Sequence, residues 1–98
     1  MVDEKVEKMA HVRSITMDEA MGFLGAHKRH YNTGEEPIAA IGLYEGEELR
    51  GAAIIGRVAP RIGAIAHIYV DGAFQGYSLL YGACHRALHA LGFEYIKL

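Results

Sequence analysis

The chain has one cysteine, two prolines, a nearly even balance of charge and no apolar run near the ~18 residues of a membrane span. Each scarcity closes off a class of protein. A lone Cys84 cannot close an internal disulfide, so no disulfide scaffold is possible within one chain. Ten Lys/Arg against twelve Asp/Glu leave a net charge of −2, which offers no general attraction to nucleic acid. Met1 to Met9 is charged and lacks the apolar stretch of a signal peptide, so a cytoplasmic location is the default expectation. Neither a nucleic-acid partner nor a membrane is expected.

What the chain does have is apolar content. Half its residues are hydrophobic, enough for a folded core. At 98 residues it reads as one domain, 1–98, with 1–9 a frayed N-terminal segment. No repeat, low-complexity tract or linker divides it.

The elements follow from periodicity. His11–Ile15 alternates like a short strand. Thr16-Met-Asp-Glu19 fits a capping box, and Met17, Ala20, Met21, Leu24 and His27 follow at helical spacing to about Arg29. After a loop at Asn32–Pro37, Ile38–Tyr44 and Leu49–Val58 read as a hairpin closed by Glu45-Gly-Glu-Glu48. Pro60 and Arg61 turn the chain into a third strand, Ile62–Val70. From Ser78 to Gly92, Leu80, Ala83, Cys84, Ala87, Leu88 and Leu91 form a helical apolar stripe, and Gly92 supplies the stop. Phe93–Leu98 alternates as a final strand, completing a parallel crossover with Ile62–Val70. The expected class is α+β, ordered β-α-β-β-β-α-β: an antiparallel meander joined to one parallel β-α-β unit.

Between the third strand and its helix lies Asp71-Gly-Ala-Phe-Gln-Gly-Tyr77. A glycine-containing turn that delivers free N–H groups to a helix N-terminus suits a phosphate or pyrophosphate. The plainer reading is an ordinary strand–turn–helix connection.

This order of elements, with Val70-Asp71-Gly72, Gln75-Gly76-Tyr77-Ser78, Leu79-Leu80-Tyr81 and Ala90-Leu91-Gly92-Phe93, resembles the GNAT superfamily of N-acyltransferases. With His27-Lys28-Arg29-His30 added, it looks closest to a small phage- and mobile-element-associated group. The resemblance runs from about Val12 onward. It implies that the strands flanking the glycine turn and its helix splay to admit the pantetheine arm of acetyl-CoA. Backbone groups of Ile68 to Val70 would pair with the pantetheine amides, and N–H groups of Ala73, Phe74, Gln75, Gly76, Tyr77 and Ser78 would hold the pyrophosphate. The chain departs from the usual Arg/Gln-x-x-Gly-x-Gly/Ala signature, because Tyr77 stands near the second small position. It also lacks the helix and two strands that would complete the acceptor side, which suggests that a second copy completes the site in a homodimer.

Transfer of an acyl group from a thioester to an amine needs a base for the amine and an acid for the leaving thiolate. No carboxylate lies between Ile62 and Val70, where the resemblance implies one. His67 is the candidate base and Tyr69 the candidate acid, on a shared face; a hydrogen-bonded histidine and a packed aromatic are the plainer readings. His27, Arg29 and His30 are candidate acceptor-binding residues, although cations also suit a helix C-terminus. His85 and His89 have the spacing of a metal pair but no third ligand, so a solvated face is the better reading and no metal is expected. Arg57 and Arg61 read as solvent-facing, and Cys84 as a small buried hydrophobe.

The expected function is therefore N-acylation, moving an acetyl group from acetyl-CoA to a small-molecule or protein amine. The alternatives are a catalytically inactive binding or interaction module that keeps the fold, and a regulatory domain that binds another phosphate ligand.

Overall fold

The computed structural model describes residues 10–27, 36–71 and 76–97. In these, strand β1 (Ala10–Ile15) leads into helix α1 (Met17–Ala26), then strands β2 (Glu36–Glu45), β3 (Glu48–Ala59) and β4 (Ile62–Val70). Helix α2 (Tyr77–Ala90) and a short strand β5 (Tyr95–Lys97) follow. The strands make one sheet in the order β1-β2-β3-β4-β5. Every neighbouring pair is antiparallel except β4 and β5.

Local chemistry explains the elements. The Thr16 hydroxyl accepts from the Glu19 N–H at 3.0 Å while the Glu19 carboxylate accepts from the Thr16 N–H at 2.8 Å. That reciprocal pair starts α1. Gly46 closes the β2–β3 hairpin with φ 61, a left-handed conformation that costs a side-chain-bearing residue energy. Helix α2 ends at Gly92, φ 95, where Gly92 N–H donates to the His89 carbonyl and Phe93 N–H to the Leu88 carbonyl. These two bonds satisfy the last carbonyls and form a Schellman ending.

The sheet is covered on both faces. On one, Leu80, Cys84 and Leu88 of α2 pack with Ile41, Leu43, Ala53, Ile55 and Phe93. On the other, Ala20 and Leu24 of α1 pack with Ala40, Ala52 and Ile54.

The GNAT-like architecture expected from the sequence, with its splayed parallel unit, is not the one the chain adopts. The described chain is a mixed, mostly antiparallel five-stranded sheet in sequential order, with two helices and more sheet than helix. Parallel pairing is confined to Ile62–Ala64 against Tyr95–Lys97. The reason lies at the end of α2. The Schellman turn swings Phe93 inward over Gly63, where a Cβ would meet the ring at 2.9 Å. Glu94 and Tyr95 N–H groups both go to the Arg61 carbonyl. Pairing with β4 therefore begins only at Tyr95, and the six-residue strand read from Phe93–Leu98 is cut short.

Candidate functional site

A register shift in β4 decides which side chains share its faces. Ile54 pairs with His67 and the next residue, Ile55, with Ile65, so Ala66 is an extra residue in β4. Such a bulge interrupts the alternation of side chains. Ile65, Ile68 and Val70 consequently all pack with the α2-side core. Ala66 and Tyr69 pack with the α1-side core, and His67 opposes Ile54, a member of that cluster. The two candidate catalytic residues thus share the α1 face, both half-buried.

Helix α1 brings a third predicted residue to them. His27 follows the helix as its C-cap, donating its N–H to the Phe23 carbonyl at 3.2 Å. Its ring lies 4.4 Å from Phe23 and 5.3 Å from Tyr69, and Phe23 lies 6.3 Å from Tyr69. The structure therefore joins His27 and Tyr69, which are far apart in sequence, in one aromatic cluster. Arg29 and His30 lie outside the described residues, as do Ala73, Phe74 and Gln75.

The remaining predicted binding residues sit at the start of α2. Gly76 is its N-cap; no side chain caps it and no acidic residue stands in the first turn. The positive end of the helix dipole is thus uncompensated by nearby carboxylates on the helix itself. Tyr77 does not turn inward across this end. It is exposed and stacks on Tyr81 at 6.0 Å, along the outside of the helix, and Ser78 is exposed beside it.

Sequence reasoning missed Arg50, which anchors this end of β4. Its guanidinium reaches Glu45 at 3.7 Å, Glu48 at 3.3 Å and Asp71 at 3.9 Å, while the Asp71 N–H donates to the Arg50 carbonyl at 2.8 Å. Asp71, just past the end of β4, is therefore tied to the β2–β3 hairpin. Only the hairpin register places Arg50 beside Asp71, so no local motif announces it.

Other candidates settle as follows. Arg57 pairs with Glu36 and Arg61 with Glu94, both at the surface. His85 is half-buried beside Tyr81, with Nε2 shielded from solvent, whereas His89 is exposed. The two do not present one solvated face. Among the described residues, no group of three or more His, Cys, Asp or Glu side chains is placed to hold a metal. No helix among them is long and apolar enough to cross a membrane. A groove lies elsewhere, between α2 and strands β1 and β2. Comparison of the chain with family models, curated proteins and solved structures finds no match, and nothing in it identifies a GNAT member.

Proposed function

We propose that this chain binds acetyl-CoA along the far half of β4 and transfers the acetyl group to an amine. The observation that carries the reading is geometric. β4 runs on from Ile65 to Val70 beyond its short pairing with β5, and that stretch carries His67 and Tyr69 on one face with the His27 ring tilted against Tyr69 at 5.3 Å. In this reading the pantetheine amides pair with backbone groups of Ile68 and Val70, as an added strand would. The pyrophosphate lies at the start of α2 near Gly76, Tyr77 and Ser78, where the helix lacks a side-chain cap. The thioester then ends near His67 and Tyr69. The attacking amine gives its proton to His67, the new C–N bond forms, the C–S bond breaks, and Tyr69 protonates the leaving thiolate. His27 borders the acceptor, and a second copy across the short β5 edge completes the acceptor side.

A binding module without catalysis is the second reading, favoured by the want of a carboxylate anywhere on β4. Calorimetric titration of the full chain with acetyl-CoA, against free coenzyme A and ADP, separates the cases. Micromolar binding that prefers the acetylated cofactor, and turnover lost in His67→Ala, supports the transferase. Binding with no turnover selects the module. Absence of binding at millimolar ligand removes the transferase and leaves an interaction module that takes no coenzyme A, and equal competition by ADP points to a different phosphate ligand. Light scattering during the same titration tests the homodimer, which a strictly monomeric, active chain would exclude.

A further inference from the structure

A histidine on α2 keeps one ring nitrogen sheltered and unanswered. His85 Nε2 is shut off from solvent and has no hydrogen-bond partner among the described residues. A sheltered polar atom left unpaired costs stability, so its presence needs a physical reason. The ring leans against Tyr81, with centroids 4.6 Å apart. Long side chains on a helix point back toward its N-terminus, which accounts for that contact.

Helix geometry sets this ring over the part of β4 that runs on alone. Cys84 points into the core, and Ala83 and His85 stand on opposite flanks of it, each about 100° away at about 3.6 residues per turn. Ala83 faces β1 and β2. His85 therefore faces the other side of the sheet, toward β4 and β5. Its level along β4 follows from Leu88, which lies over Gly63, where a Cβ would meet it at 2.7 Å. The helix starts beyond the end of β4 and finishes over Gly63, so it runs antiparallel to that strand. About one turn back from Leu88, and leaning toward Tyr81, the His85 ring is level with Ile65 to His67. Pairing with β5 ends at Ala64, and the extra residue Ala66 sits at the same level as the ring.

The acetyl transfer proposed above leaves one chemical demand unmet. His67 takes the proton of the amine and Tyr69 protonates the thiolate, but the thioester oxygen, where negative charge builds during attack, has no donor. His67 and Tyr69 stand on the α1 face of β4. His85 approaches the same stretch from the α2 face, and a ligand lying beside β4 in the plane of the sheet is open to both. Resting on that reading, we propose that His85 is a further catalytic residue, whose Nε2–H donates to the carbonyl oxygen of the bound acetyl thioester. The imidazole is neutral, with its proton on Nε2, and keeps that proton throughout. The hydrogen bond strengthens as the C–N bond forms and the oxygen becomes anionic, then weakens as the C–S bond breaks and the carbonyl returns.

Free coenzyme A has no carbonyl at this place, which makes the test specific. Calorimetric titration of the full chain compares acetyl-CoA with coenzyme A in the parent, His85→Phe and His85→Gln. Phenylalanine keeps a ring against Tyr81 and removes the orphaned nitrogen, so a thermal melt should show His85→Phe at least as stable as the parent. Its affinity for acetyl-CoA should nevertheless fall about tenfold while that for coenzyme A is unchanged. Its kcat should fall about a hundredfold. His85→Gln, which keeps an N–H donor, should recover part of both losses. Unchanged acetyl-CoA affinity and turnover in His85→Phe overturn the assignment, as does an equal loss of affinity for the two ligands. An imidazole-nitrogen NMR spectrum of the parent gives a readout that needs no variant. Acetyl-CoA, but not coenzyme A, should shift the His85 Nε2 resonance, and a resonance unmoved by bound acetyl-CoA overturns the assignment. A parent that binds neither ligand overturns the acetyl-CoA reading itself, and the role of His85 falls with it.

Discussion

Burial at Cys84 shows how the core dictates chemistry at a single side chain. The thiol is fully enclosed beneath α2, and burial pushes its pKa up to about 12. The native protein should therefore resist a thiol-directed reagent at pH 8 and label stoichiometrically only after denaturant is added. Rapid labelling in native buffer would mean that α2 lifts readily from the sheet. The sign of the linkage follows. An unfolded thiol ionises from about 9 upward, while the folded one keeps its proton to about 12. Between those values the native state binds more protons, so the Cys84 contribution to stability falls as pH rises. Glu19 behaves in the opposite sense. Hydrogen bonds to Thr16 hold its carboxyl below the usual range, so its support of α1 is present above that range and lost as pH falls through the lowered value. Thr16→Ala should cost about 1 kcal/mol in a denaturant melt near neutral pH. The gap between variant and parent should narrow in acid, where Glu19 is protonated.

At the scale of elements, two close approaches govern how the pieces fit. Gly63 lies beneath the Phe93 ring and the Leu88 side chain, which a Cβ would meet at 2.9 and 2.7 Å. Gly63→Ala should destabilise by about 1–3 kcal/mol, because the ring and the leucine have the whole α2 ending behind them. A thermal melt showing no loss would mean that the Phe93 turn relaxes freely. The extra residue at Ala66 is the second control point. Deleting it restores simple alternation in β4 and keeps Ile65, Ile68 and Val70 on the α2 side and His67 and Tyr69 on the α1 side. A cooperative unfolding transition close to that of the parent is the expected result. A deletion variant that loses that transition would show that the bulge is needed for more than absorbing one residue. The strands and helices themselves were largely legible, since Ile62–Val70 and the Leu80–Leu88 stripe declare their periods locally. The shortened β5 was not legible. Phe93-Glu-Tyr-Ile-Lys-Leu98 alternates well enough for six residues, and only the reach of Phe93 to Gly63 removes the first of them from the sheet.

For the whole molecule, the proposed function depends on what the sheet gathers from separate parts of the sequence. α1 contributes His27, β4 contributes His67 and Tyr69, and the β2–β3 hairpin holds Asp71 at the end of β4 through Arg50. Replacing Arg50 with Ala should leave the hairpin paired but release the Asp71 side chain at the end of β4. If acetyl-CoA binds as proposed, its affinity should fall more than stability does, measured by titration beside a thermal melt. An equal fall in both would make Arg50 a purely structural anchor.

The sequence by itself determined the periods, the caps and the glycine stops, because those depend on residues within a turn or two of one another. Tertiary structure alone decided the facing of His67, the length of β5, the Arg50 anchor and the groove beside α2. Each depends on register or packing between segments distant in the chain, where a one-residue shift reverses a face and a single aromatic ring ends a strand.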